Sequence, residues 1–137
     1  MHQRSRALLA FVLTVLVTLP AVAQQRPDPD SPRYKGVVAL GEFIDTEGDE
    51  AIAEFIENRI AVSVRESMDE AELAEVLAAI RAEAAGGEIR GGQPLGPLAA
   101  ELVLDFSDGT QMNISFELDS EDNDRFTVIR SPGHSIG

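Results

Sequence analysis

Two histidines occur in the chain, His2 and His134, and there is no cysteine. His2 precedes a long apolar run, and His134 lies in a C-terminal stretch holding Pro132 and two glycines. The sequence between them therefore offers neither an imidazole nor a thiol. A Ser-His-acid triad, a cysteine nucleophile and the usual zinc sites each require one or the other. Ser63, Ser67, Ser107 and Ser115 consequently lack the commonest activating base. Gly86-Gly87 and Gly91-Gly92 have neither the fixed spacing nor the following helix that a phosphate-cradling loop needs. We assign no catalytic residue, metal ligand or cofactor from these patterns.

Carboxylates are the one abundant reactive group, with 24 Asp and Glu against 11 Lys and Arg. A calcium loop places oxygen ligands at positions 1, 3, 5 and 12 and glycine at 6. Counted from Asp119, the sixth position is Asp124 and the twelfth is Arg130; counted from Asp45, the twelfth is Ile56. Both stretches read more simply as solvated loop ends. Glu101 and Asp105 are the remaining candidates. They alternate with Leu102 and Leu104 along a predicted strand, so they share the strand's opposite face. An isomerase- or lyase-type pocket enzyme would need such an acid buried beside a neutral donor. Tyr34 stands at the edge of the domain, and Arg90 or Arg130 would pair with these acids. A salt bridge or a solvated sheet face is the plainer reading of both.

The net charge is -13. Nucleic acids and anionic lipid surfaces are bound through clustered Lys and Arg, so neither is an expected partner. The first residues read as an export signal. Arg4 and Arg6 precede the uncharged apolar run Ala7 to Leu19, Pro20 breaks it, and Ala21-Val22-Ala23 fits a signal-peptidase site. The run falls short of the roughly 20 residues of a spanning helix. Cleavage after Ala23 would remove two arginines and no acid, leaving a more acidic, periplasmic or secreted chain without a membrane anchor. Gln24 to Pro32 follows as a Pro-rich, flexible leader.

The elements that must position any site come next. Val37, Leu40, Gly41 and Ile44 predict a helix over about 33–45, with Gly48 as its stop. Asp49 and Glu50 open a second helix whose buried face is Ile52, Phe55, Ile56 and Ile60. Ser67 and Glu70 form a capping-box pattern ahead of a third, with Leu73, Val76, Leu77, Ile80 and Ala84 on one stripe. Beyond Gly87 the period changes to two. Glu88 to Arg90 predicts a short strand and Gln93 to Pro97 a loop. Ala100, Leu102, Leu104 and Phe106 then share a face, and so do Met112, Ile114, Phe116 and Leu118. Asp108-Gly109 between them predicts a hairpin with both turn residues at positive φ. Phe126, Val128 and Ile129 mark a last strand, and 131–137 is expected to be a disordered tail. Phe43, Phe55, Phe106, Phe116 and Phe126 are expected in the core. Three helices followed by three or four antiparallel strands give an α+β domain over 33–130.

This order resembles the small cone-shaped domains of the nuclear-transport-factor-2-like and cystatin-like superfamily. It is similar in particular to the noncatalytic versions attached to exported bacterial serine hydrolases of the beta-lactamase type and to processing peptidases. The landmarks are Gly48-Asp49, Phe55, the helix about Leu73 to Ile80, Gly86-Gly87 and the hairpin at Asp108-Gly109, within Gly36 to Arg130. The chain departs from that pattern in two ways. It has no Ser-x-x-Lys, and its hairpin lacks the usual aromatic, reading Gly109-Thr110-Gln111. The resemblance implies an exported accessory or binding domain that takes an exported hydrolase or peptidase partner, or a small apolar ligand. The pocket enzyme using Glu101 or Asp105 is the alternative.

Overall fold

A computed structural model describes residues 28–137. The export signal expected over 1–23, and the first four residues of the leader, lie outside the described residues. Those residues form four helices followed by five strands: α1 (Pro32–Ile44), α2 (Asp49–Arg59), α3 (Val62–Ser67), α4 (Glu70–Ala84), β1 (Glu88–Gly96), β2 (Ala99–Asp105), β3 (Gln111–Leu118), β4 (Phe126–Arg130) and β5 (Ser135–Ile136). The strands run as one antiparallel meander in the order β1-β2-β3-β4-β5. The α+β class and the grouping of helices before strands are as the sequence patterns require, while the element counts differ from three helices and three or four strands.

The local reasons are readable. Ser31 accepts the Tyr34 amide at 3.2 Å and caps α1, with Pro32 at its first position, where a missing N–H costs nothing. Arg125 reaches across from the start of β4 to the end of α2, donating to the carbonyls of Glu57 at 2.8 Å and Ile60 at 3.0 Å. A cation suits the negative end of a helix. The capping box at Ser67 does not form. The Ser67 hydroxyl instead donates to the Val64 carbonyl at 3.0 Å, because Val62–Ser67 is itself the extra helix α3. Asp69 then starts α4, with Glu70 and Glu72 in its first turn.

The hairpin at Asp108-Gly109 is present with a different turn. Gly109 has φ 89° and no non-glycine residue described has a positive φ. The Phe106 amide donates to Thr110 O, and the Gly109 amide donates to Phe106 O. A three-residue loop of this kind needs glycine only at its last position. The region expected as the loop Gln93 to Pro97 is largely strand. Pro94 fits there because β1 is an edge strand and its outward side needs no donor.

The expected disordered tail is also corrected. Ile136 pairs with Ile129 and is 1% exposed, so 131–137 folds back as a turn and a fifth strand. Burial of one branched apolar side chain is the physical reason, and it is invisible in a segment otherwise made of Ser, Pro, Gly and His.

The core lies between the helices and one sheet face. Ala100, Leu102 and Leu104 of β2 and Ile114, Phe116 and Leu118 of β3 meet Leu40, Ile56, Leu73, Leu77 and Ile80 there. In β4, Phe126 and Ile129 both point inward although they are three residues apart. A register shift opposite Glu117 and Leu118 makes this possible, because a bulge turns the strand by one residue. Four phenylalanines join the two layers. Phe43 stacks on Phe55 with centroids 4.1 Å apart, Phe55 lies 5.7 Å from Phe126, and Phe126 meets Phe116 edge-on at 5.4 Å. The Phe116 ring in turn lies against Gly36 of α1, where an added Cβ would stand 2.8 Å from its Cε2 atom.

Gly36 is thus a contact point, whereas a Cβ at Gly41 would meet only the Ile89 Cδ1 atom at 3.2 Å, the tip of a side chain 40% exposed. We predict that Gly36→Ala lowers stability by about 1–3 kcal/mol through overpacking, while Gly41→Ala gains up to about 1 kcal/mol from helix propensity. Urea unfolding followed by far-UV circular dichroism checks the opposite signs.

Candidate functional site

The helix layer does not cover the whole sheet. Strands β2 to β5 pack under the helices, but β1 lies outside that cover, with every residue from Glu88 to Leu95 exposed. Leu95 is 55% exposed, a high value for leucine. Between α1 and the β1–β2 hairpin runs an open groove of about 300 Å³. Tyr34 and Val37 form its helical wall, and Ile89, Ala100 and Leu102 form its apolar floor. Arg33 stands at one end and donates from Nη1 to the Gly96 carbonyl at 2.8 Å, tying the start of α1 to the end of β1. Among the described residues no carboxylate lies within ion-pair distance of Arg33. The groove therefore combines apolar walls with one cation in a strongly acidic chain.

Glu101 and Asp105 do not come together in this space. Glu101 belongs to the groove lining, but strand alternation turns its side chain to the sheet's other face, away from Ala100 and Leu102. There its carboxylate accepts from Gln93 Nε2 at 3.4 Å. Asp105 is further along the same outer face. Arg90, one of the two arginines the sequence offers as partners, pairs with it at 2.9 Å, and Gln111 Nε2 donates to it at 2.8 Å. Among the described residues no polar or charged side chain is buried. The carboxylate in a low-dielectric pocket that the enzyme alternative requires is not supplied by either acid.

The acidic loops are built by their own backbone. Asp119 Oδ1 accepts the Glu121 amide at 3.0 Å, Asp122 Oδ1 accepts the Asp124 amide at 3.3 Å, and Asp122 Oδ2 holds Arg125 Nε at 3.1 Å. At the other hairpin, the Thr110 hydroxyl and then its amide keep the Asp108 carboxyl below the usual aspartate range. Among the described residues no three Asp, Glu or His side chains converge to hold a metal ion.

Sequence reasoning missed two arrangements. One is the groove, because Arg33 and Val37 are far in sequence from Ile89 and Leu102. The exposed apolar residues Ile89 and Leu95 around a glycine pair were the available signal. The other is a polar cluster between α4 and the C-terminal turn. Glu83 accepts the Ser131 hydroxyl at 2.7 Å and contacts His134 Nδ1. The sequence pattern puts His134 in the expected disordered tail; the strand that anchors that segment brings it to α4. Compared with protein-family models, curated proteins and solved structures, the chain matches none.

Arg90 is 74% exposed at its side chain and Asp105 24%, so their pair is largely hydrated. Asp105→Asn, which retains a partner for Gln111, is expected to change stability by less than about 1 kcal/mol. A larger loss in urea unfolding would show that the ionised carboxylate is structurally required.

Proposed function

We propose that this chain is an exported binding domain without catalytic chemistry of its own, and that the groove between α1 and the β1–β2 hairpin is its binding site. The observation that carries the reading is the groove itself: mainly apolar along its helical wall and floor, open to solvent, and bounded at one end by Arg33, which has no carboxylate within ion-pair distance among the described residues. Its volume is at the lower end of the range of small-molecule sites, roughly 300–1,000 Å³. A slender apolar ligand with one anionic end matches it. The apolar part displaces water from Val37, Ile89 and Leu102, and the anion meets a guanidinium that is already held in place by Gly96.

The likeness to cone-shaped accessory domains supports the same reading, because those domains bind rather than catalyse. It also supports a second reading, in which an exported hydrolase or peptidase docks on this face. The exposed edge of β1 favours that reading, since a strand edge offers unpaired backbone groups to an extended segment. The N-terminal pattern of Arg4, Arg6, the apolar run and Ala21-Val22-Ala23 supports export. Expressed in a bacterium, the chain is expected in the periplasm or medium, and its intact mass should correspond to a start at Gln24.

The binding test uses decanoate displacing a fluorescent apolar probe from the purified protein. Val37→Asp, which puts a charge on the groove wall, should weaken decanoate binding about tenfold or more. Arg33→Ala should weaken decanoate while leaving the uncharged decanol nearly unaffected. Equal losses for the two ligands would remove the anion-binding role, and failure of the unaltered protein to bind either would overturn the small-ligand reading in favour of a protein partner.

A further inference from the structure

The C-terminal strand is attached by very little. β5 has two residues, paired with Ile129 and Arg130 of β4. A tight turn leads into it, closed by the Ser131 amide donating to the His134 carbonyl at 2.8 Å. Its apolar hold is Ile136. Its side-chain polar hold converges on one carboxylate. Glu83, in the last turn of α4, takes the Ser131 hydroxyl at 2.7 Å and His134 Nδ1. Both contacts come from the same four-residue turn.

We propose that Glu83, Ser131 and His134 form an acid-released clasp, which holds β5 on the sheet at neutral pH and lets the C-terminal segment detach on its own in acid. The geometry makes the carboxylate the single acceptor for the turn. An ionised acceptor gives hydrogen bonds about twice as strong as a neutral one, so protonating Glu83 weakens the whole set together. Among the described residues, the titratable group facing Glu83 from the opposing turn is His134; its other partner, the Ser131 hydroxyl, is neutral. The contact with His134 becomes an ion pair when the imidazole is protonated.

The direction of the pH effect follows from Glu83. The His134 contact holds its carboxyl below the ordinary glutamate value of 4.5, against a partial burial that works the other way, and the Ser131 hydroxyl adds to the lowering. A carboxylate whose pKa is depressed in the closed state stabilises that state above its free value. The stabilisation disappears as pH falls through the depressed one. Closure is therefore complete near neutrality and fails only in acid below the ordinary glutamate range. Release would uncover the free edge of β4 and the side of Ile129 that Ile136 covers. The opening unit is small, so it can separate from global unfolding.

Hydrogen exchange of the full chain, corrected for the intrinsic pH dependence of exchange, tests this. Between about pH 7 and about pH 3 the amides of 131–137 should lose protection about threefold or more, while those of α4, β2 and β3 keep theirs. Glu83→Gln should show the loosened tail already at neutral pH and a flat pH response. His134→Gln, at a more exposed position, should reduce the pH response without disturbing the core, and serves if Glu83→Gln does not fold. Tail protection that does not change with pH would overturn the clasp. So would loss of tail and core protection in one step, or an unaltered pH response in both variants.

Discussion

The layers of this domain are held at one distance by a closed chain of aromatic contacts. Phe43 of α1 touches Phe55 of α2, Phe55 touches Phe126 of β4, Phe126 touches Phe116 of β3, and Phe116 returns to α1 at Gly36. Each ring is buried, and each offset or edge-on contact adds to the burial that holds the layers together. A change at any member therefore reaches two others. The backbone reinforces the same point, since the Ala61 amide donates to the Phe126 carbonyl at 2.9 Å and fixes the end of α2 beside β4.

That constraint explains why the groove is where it is. The aromatic contacts draw α1 onto β3, close enough that only glycine fits at position 36. They do not reach β1, and α1 and β1 touch chiefly through Arg33 with Gly96 and through Ile89 with Gly41. The sheet's right-handed twist carries an edge strand away from a helix packed on its centre. An uncovered strip beside β1 results, and its walls are the outer flank of α1 and the first hairpin. The polar outer face of the sheet, with Glu101, Asp105, Asn113 and Ser115, belongs to a different surface and is stitched by its own side-chain bonds.

Much of this was legible beforehand, and the exceptions have specific causes. The stripe Leu73, Leu77, Ile80 and Ala84 predicts its burial because helical period alone decides it, and the alternation of Ile114, Phe116 and Leu118 does the same for β3. β1 was only partly legible, because Gly91, Gly92 and Pro94 carry turn signals while an edge strand tolerates them. α3 was missed because six residues are too few to display a period. The tail was missed because its order depends on Ile136 and on Glu83, a residue 48 positions from its hydroxyl partner Ser131. The acid candidates were correctly placed on one strand face, but no strand pattern says which acids meet a helix layer and which meet water.

The bond from Arg125 to the Ile60 carbonyl joins residues 65 positions apart and closes a large part of the domain into a single loop. The entropy of closing a loop grows only with the logarithm of its length, roughly 0.6 kcal/mol for each doubling. A few residues added within that span are thus nearly free in entropy, wherever they do not enter the aromatic contacts. The hairpin tips at Ser107 to Gly109 and Asp119 to Asp124 meet that condition, being exposed or close to it. The scaffold is accordingly permissive of length variation at those tips, and segments of different size can be displayed there without moving α1 relative to β3.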